Sequence, residues 1–206
     1  MKINRLWGLA LGLLCAFQAH GQQYSTSILY NVSVPVSNTT DYLKTTSFRG
    51  LTVTPRIHFN DRFSLGVTAG WNVFYEKQAP AAYEYGEDGN TTLYGTQFRY
   101  INAFPLHVSP QVHFGGANAK FKPYAGLGLG TTYFIQNTNM GLYAFREKEW
   151  LLGLYPEVGF TFPFRNDWHF TVSGKYNHLF GAGELSTQGY VGVNVGLTRY
   201  LWGRRF

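Results

Sequence analysis

The feature that most constrains this chain is a period-two alternation of apolar and polar residues. It is clearest from 156 to 180, where one parity carries large apolar side chains and the other small polar residues with isolated charges. Successive side chains of a β-strand point to opposite faces, so the pattern predicts strands with one apolar and one polar face. The polar parity is rich in Gly, Ser, Thr and Asn. This composition favours an apolar outside around a narrow, filled lumen over a soluble β-sandwich or lipocalin.

The alternation predicts an all-β fold, an eight-stranded antiparallel up-and-down transmembrane β-barrel. The predicted strands are 24–36, 47–59, 63–77, 92–114, 121–136, 147–164, 168–181 and 187–202. Short connections (60–62, 115–120 and 165–167) alternate with mostly longer polar ones (37–46, 78–91, 137–146 and 182–186). In such barrels the short turns face the periplasm, so we expect the outer loops, and above all Gln78–Thr91, to be the contact surface.

Two hairpins have definite predicted registers. In the hairpin that turns at 165–167, the predicted register pairs Phe164 with Trp168, Thr161 with Thr171, and Glu157 with Lys175. An inward Glu opposite an inward Lys lets both charges be buried in a narrow lumen. Closing the first hairpin on 60–62 pairs Phe59 with Phe63 in the same way.

The N-terminus predicts an exported protein. Residues 1–21 have a basic start, an apolar stretch and the small-x-small motif Ala19-His20-Gly21, as in a signal peptide. Residues 22–206 then form the outer-membrane barrel domain. A lipoprotein signal retaining Cys15 is the alternative, disfavoured by the bulky Leu14 before it. Cys15 is the single cysteine, so after cleavage no disulfide or thiolate site is expected.

Inward polar residues and outward aromatics define the predicted sites. The predicted lumen network is Arg56, His58, Arg99, Lys122, Glu157, His169 and Lys175. The predicted periplasmic aromatic girdle is Phe59, Phe63, Phe114, Phe121, Phe164, Trp168 and Trp202. An outer girdle is expected to contain Tyr75, Tyr94, Tyr133, Trp150, Phe180 and Tyr190. The lumen residues are interpreted as a rigidifying network, with a pore lining or catalytic cluster as the alternatives.

Other chemistry has little support in the residues. The glycines of Gly126-x-Gly128-x-Gly130 fall on one strand face without a following helix, so they predict room for bulky lumen neighbours instead of a nucleotide site. No metal-ligand spacing and no cofactor motif is present. The net charge of +6 is scattered, without a basic run, so no nucleic-acid partner is expected.

Several segments resemble the small outer-membrane β-barrel proteins common in Bacteroidota, the OmpX/OmpW-like and porin-like "outer membrane protein beta-barrel" type. They are TSFRGLTVTPRIHFNDRFSLGVTAGWNVFYE, KPYAGLGLGTTYF, KYNHLF and YVGVNVGLTRYLW, and the resemblance covers nearly all of 24–206. It implies location in the cell outer membrane, assembly by the barrel-assembly machinery, and contact with outer-membrane lipid and lipopolysaccharide. Trp202 or Phe206 would carry the C-terminal assembly signal.

We expect a non-enzymatic barrel that acts through its outer loops or as an accessory partner of another protein. A narrow channel for small solutes is the alternative. The best enzymatic lead is His178, near Glu184 and Ser186, which resembles the site of lipid A deacylases of the PagL type. In that family a Ser closely follows the His, whereas Leu179-Phe180-Gly181 follows it here, so no catalytic residues are assigned.

Overall fold

Eight antiparallel strands close into a ring in which each strand pairs with its neighbours in sequence and the last pairs with the first. The computed structural model describes residues 23–85, 91–115, 119–183 and 185–201. The strands are β1 Gln23–Val36, β2 Gly50–His58, β3 Phe63–Tyr85, β4 Thr91–His113, β5 Lys122–Met140, β6 Tyr143–Arg165, β7 Trp168–Leu179 and β8 Gln188–Leu201, with one helical turn, α1, at Thr39–Tyr42. The predicted fold class is confirmed. Among the described residues, no helix is long and apolar enough to cross a bilayer.

The two faces of the wall follow the predicted alternation. On β7 the polar parity from His169 to Asn177 is buried inside the ring, and on β8 the outward residues Val191, Val193 and Leu197 are exposed. An apolar outer face suits lipid, and closure of the ring leaves no strand edge exposed to it. The predicted signal peptide, residues 1–21, lies outside the described residues and stays a prediction.

The ring has a short-turn end and a long-loop end, and we call the second the outer end because short turns face the periplasm in such barrels. The outward rings of Phe104 on β4 and of Phe114, the residue directly after β4, are ten residues apart. At about 3.4 Å per residue and a tilt of about 40°, that spacing covers roughly 26 Å along the barrel axis. The apolar band of such barrels is about 25 Å tall, so these two rings lie near its edges.

Two of the predicted outer loops are strands. Most of 78–91 extends the β3–β4 hairpin, with Lys77 opposite Phe98 and a register shift between Gln78 and Ala81. Most of 137–146 likewise extends the β5–β6 hairpin up to Met140 opposite Tyr143. The loop prediction was wrong because these segments lose the two-face alternation once they leave the membrane. Their backbone pairing does not depend on that alternation.

The predicted hairpin registers are largely confirmed. Glu157 is opposite Lys175, and Thr161 is opposite Thr171. At the other hairpin the Phe59 amide donates to the Phe63 carbonyl over 3.0 Å.

The pairing of Phe164 with Trp168 was wrong. A bulge between Pro163 and Arg165 leaves Phe164 without an opposite residue, and Arg165 pairs with Trp168. Asn166 takes up the tighter turn with a positive φ of 39°, a conformation that Asn tolerates better than most residues.

Candidate functional site

Glycines on β5 make room for the side chains that fill the lumen. A Cβ atom on Gly128 would overlap the ring of Tyr155, and one on Gly126 would lie 2.5 Å from Cγ of Gln111. Gly130 faces His107 at a similarly close approach. The three glycines therefore create space for bulky neighbours, as their spacing on one strand face predicts.

The inner half of the lumen is a polar network built around Arg56. Its guanidinium donates to the carbonyl of Ser109 at 2.9 Å, to the hydroxyl of Ser109 at 3.0 Å and to the hydroxyl of Ser64 at 3.3 Å. Arg56 is buried, and it is supplied by β2 while its partners come from β3 and β4. These bonds join three adjacent strands through one planar donor group.

Glu157 and Lys175 lie in the same inner part of the lumen. The Glu157 carboxylate accepts from Tyr124 Oη at 3.0 Å and from Gln111 Nε2 at 3.4 Å. Lys175 Nζ lies 5.5 Å from the ring centroid of Tyr155. Both charged side chains are buried. A cavity of about 30 Å³ beside Glu157 and Arg56 has room for water and for nothing larger.

Histidines and Lys122 occupy the short-turn mouth. His58 Nε2 is 2.8 Å from Ser25 Oγ, and the His169 ring centroid lies 4.4 Å from that of Tyr200. Lys122 is half-buried and lines a cavity of about 40 Å³ together with His58. Within the described ranges, no group of three or more His, Cys, Asp or Glu residues is arranged to hold a metal ion.

The outer half of the lumen contains an apolar cluster that the predicted polar network did not include, although polar side chains such as Asn72 and Gln97 are buried on the same strands. A cluster of fully buried side chains fills this level and forms a layer across the barrel, which we call the apolar layer: Leu43, Phe74, Ile101, Ala103, Phe134, Leu151, Leu179, Leu185 and Tyr190. Tyr190 was wrongly expected in the outer girdle. It lies on the inward parity of β8, with its ring centroid 5.5 Å from that of Phe74.

The first outer connection, residues 37–49, folds inward and crosses the mouth, and we call it the strap. Thr39 Oγ1 donates to Gln188 Oε1 at 2.8 Å and accepts from the Gly189 amide at 2.9 Å. Tyr42 Oη donates to the Asn137 carbonyl at 2.7 Å. The next residue, Leu43, is 1% exposed and packs into the apolar layer.

Two charged side chains of the barrel wall hold the strap. The Glu76 carboxylate accepts from the backbone amides of Lys44 and Thr45. Arg99 Nη1 donates to the Tyr42 carbonyl at 2.6 Å, and its guanidinium lies 5.2 Å from the Tyr42 ring centroid. Arg99 therefore lies at the outer mouth, and the structure does not bring it together with the inner network around Arg56.

An open vestibule of about 330 Å³ remains at the outer end, above the strap and the apolar layer. Among the described residues, its lining contains one cation and two carboxylates, Arg99, Asp41 and Glu147, together with the amides of Gln136 and Gln188. The sequence did not single out these residues as one site. They come from α1, β4, β5, β6 and β8, and their proximity depends on ring closure.

The predicted periplasmic girdle residues that the structure describes are exposed at the short-turn end: Phe59, Phe63, Phe114, Phe121, Phe164 and Trp168. Trp202 lies outside the described residues, as does Phe206. At the outer end, outward rings lie on four adjacent strands, with Trp71 stacked on Phe104 and Tyr133 in tilted contact with Trp150.

The candidate catalytic residues His178 and Ser186 do not lie together in the structure. His178 lies on the outward face of β7, with Nδ1 3.4 Å from Tyr176 Oη and its ring against Phe180. Ser186 instead lines the vestibule, where its hydroxyl accepts from Gln188 Nε2 at 3.2 Å. Glu184 lies outside the described residues.

Comparison with known proteins agrees with this architecture. The family described as "Outer membrane protein beta-barrel domain" matches residues 8–200. Outer membrane protein W of Vibrio cholerae serotype O1 is 30% identical over 137 residues, which is 58% of this chain. The aligned part spans 60% of the length of that relative.

Solved structures show the same fold at low identity. A major outer membrane protein of Thermus thermophilus has a TM-score of 0.56 at 13% identity, over 88% of this chain and 100% of that one. Neisserial surface protein A has a TM-score of 0.53 at 13% identity, over 87% of this chain and 97% of that one.

Proposed function

The chain belongs to the outer membrane protein β-barrel family, and we propose that it acts as a non-conducting, non-enzymatic barrel through its outer end. It is an outer-membrane protein. The working surface in this proposal is the vestibule with the two projecting hairpins, β3–β4 and β5–β6. A protein partner bound there, or along the barrel wall, would make the chain an accessory subunit.

The observation that carries the proposal is the closure of the lumen below the vestibule. Leu43, Phe74 and Phe134 are between 0% and 1% exposed, and the strap that supplies Leu43 is bonded to strands on several sides of the ring. A solute path would need this packed layer to separate, and packed interiors resist such rearrangement. This geometry weighs against the narrow-channel alternative.

Single-channel recording in planar bilayers tests the closed lumen. We expect no unit openings from the wild-type barrel. A Phe74→Gly/Phe134→Gly variant, checked for folding by heat-modifiable gel migration, is the control because it removes two rings from the apolar layer. Regular wild-type openings would reject the non-conducting part of the proposal.

Trimming one hairpin tests the outer working surface. Replacing residues 79–96 with Asn-Gly connects Gln78 directly to Gln97, which are already opposite each other, through a two-residue turn. We expect the trimmed barrel to fold and to lose a partner that is cross-linked to the wild type in intact cells. Equal cross-linking of both proteins would exclude this hairpin as the contact.

Mass analysis of lipid A tests the absence of lipid-modifying activity. Cells with and without the protein should have the same acylation pattern, because His178 and Ser186 lie on different faces of the barrel. A change in acyl chains that disappears in a His178→Ala variant would contradict the non-enzymatic proposal.

A further inference from the structure

The β6 segment Arg146-Glu147-Lys148-Glu149 separates its charges by face. Arg146 and Lys148 are on the outward parity and are exposed. Glu147 lines the vestibule, and Glu149 points inward, where its Cδ lies 2.8 Å from the position of a Cβ added to Gly183. One strand thus presents only cations to the outside and only carboxylates to the lumen.

The two cations lie directly beyond the outer aromatic row. Trp150, two residues from Lys148, is opposite Tyr133, which is in turn opposite Phe104. The ring centroids of Tyr133 and Trp150 are 5.0 Å apart. Aromatic rows of this kind mark the boundary between the hydrocarbon core and the lipid headgroups.

The spacing along β6 places Lys148 at headgroup depth and the backbone of Arg146 just beyond it, within reach of a long side chain. Lys148 and Arg146 are two and four residues beyond Trp150, about 7 and 14 Å along the strand and, at a tilt of about 40°, about 5 and 10 Å along the membrane normal. The headgroup region is about 5–7 Å thick on each side of the hydrocarbon core. Lys148 lies within it, and Arg146 reaches it from its outer edge.

The neighbouring outward residues add hydrogen-bonding groups and another cation. Arg146 is opposite Asn137, which is opposite Tyr100, and the Tyr100 ring centroid is 4.9 Å from that of Tyr75. Lys77 lies farther along the same surface, with Nζ 5.8 Å from the Phe98 ring centroid. On β3–β6, between the aromatic row and the level of Lys77, the charged outward side chains that the structure describes are all positive.

We propose that Arg146 and Lys148 form a binding site for a phosphate group of the phosphorylated glycolipid in the outer leaflet, the lipid A part of lipopolysaccharide. Guanidinium and ammonium groups are the preferred protein donors to phosphate. Among the described residues, neither cation is engaged in a hydrogen bond or ion pair, and the carboxylates of the same segment face away. Asn137 and Tyr100 are placed to contact the sugar. The site adds a lipid ligand to the proposed function and does not depend on whether the lumen conducts.

Native mass spectrometry of the detergent-purified barrel tests the site. Wild-type protein is titrated with diphosphorylated lipid A, with the same lipid after phosphatase treatment, and with phosphatidylglycerol. We expect tightest binding of the diphosphorylated lipid. In Arg146→Gln/Lys148→Gln, binding should be weaker by about tenfold or more, the loss expected of two cations at headgroup level.

The matched control removes the same charge from the other end of the barrel. Arg62→Gln/Arg165→Gln alters two exposed cations at the short turns and should bind lipid A like the wild type. Equal binding by the Arg146/Lys148 variant, an equal loss in the control, or equal affinity for phosphatidylglycerol would overturn the proposal. If the double variant does not fold, Lys148→Arg should retain binding and Lys148→Gln should lose it, and equal binding by the two would likewise overturn the site.

Discussion

Glu157 on β6 and Lys175 on β7 are directly opposite each other inside the barrel, and both side chains are buried. Removing one partner of a buried charge pair leaves the other uncompensated, whereas replacing both is much less costly. The pair should therefore respond very differently to single and double substitution.

We expect Lys175→Met to lower the free energy of unfolding by about 3–5 kcal/mol. Glu157→Gln/Lys175→Met should recover most of that loss, because the Gln oxygen can still accept from Tyr124 and its amide can donate to Gln111 once the Gln111 amide is flipped. Urea unfolding in lipid vesicles, followed by tryptophan fluorescence, measures both changes. Lys77→Met, outside the lumen, is the control. A single variant as stable as the wild type would show that the pair contributes little.

The close approach of Tyr155 to Gly128 gives a second prediction. A methyl group on Gly128 overlaps the Tyr155 ring, so Gly128→Ala should destabilise the barrel by about 1–3 kcal/mol through overpacking. Gly174→Ala is the matched control, since a Cβ there meets no atom within 4 Å, and should stay within about 0.5 kcal/mol of the wild type. Equal unfolding midpoints for the two variants would contradict the lumen packing described above.

The two hydrogen bonds of Thr39 to β8, which we call the clasp, hold the strap against the barrel wall. The strap should become more mobile when they are removed. Thr39→Ala deletes two buried hydrogen bonds, to Gln188 and from Gly189, and leaves their partners unsatisfied at a cost of about 1–3 kcal/mol. We expect hydrogen exchange across residues 38–46 to accelerate about tenfold or more, while the amides of β7 keep their protection.

Thr40→Ala is the control for the strap. Its hydroxyl is exposed and donates only to the nearby Ser37 carbonyl at 2.7 Å, so exchange should change little. Unchanged exchange in the Thr39 variant would mean that Leu43 and Glu76 hold the strap without the Thr39 clasp.

The sequence predicts those structural features that a local residue pattern determines, and it does not predict features that lack such a pattern. Strand faces follow from alternation, so the inward positions of Glu157 and Lys175 and their register could be predicted. The same alternation on β8, with Val191 and Val193 outward, puts Tyr190 inside. Tyr190 was misplaced because it was assigned to the outer girdle as an aromatic near the rim, without applying the parity of its strand. The outer part of the β3–β4 hairpin has no two-face pattern, so 78–91 was predicted as a loop.

The site at the outer end could not be predicted, because its contacts join distant parts of the chain. Thr39 bonds residues 149 and 150 positions away, and Arg99 bonds the Tyr42 carbonyl 57 positions earlier. Only ring closure brings these groups together. The alternation of cations and carboxylates from Arg146 to Glu149, in contrast, is visible in the sequence. Knowing which residues of the strand face outward is enough to place the cations outside and the carboxylates inside.

The clasp between Thr39 and the start of β8 also has a consequence for the order of folding. Thr39 follows the first strand, whereas Gln188 and Gly189 begin the last, so the bond crosses the seam where the ring joins itself. It can form only after β8 has met β1. Before ring closure Leu43 cannot pack against all of its neighbours in the apolar layer, so the side chains of that layer are still exposed. The strap follows the first strand in sequence, but it docks only in the last step of folding, when the ring closes.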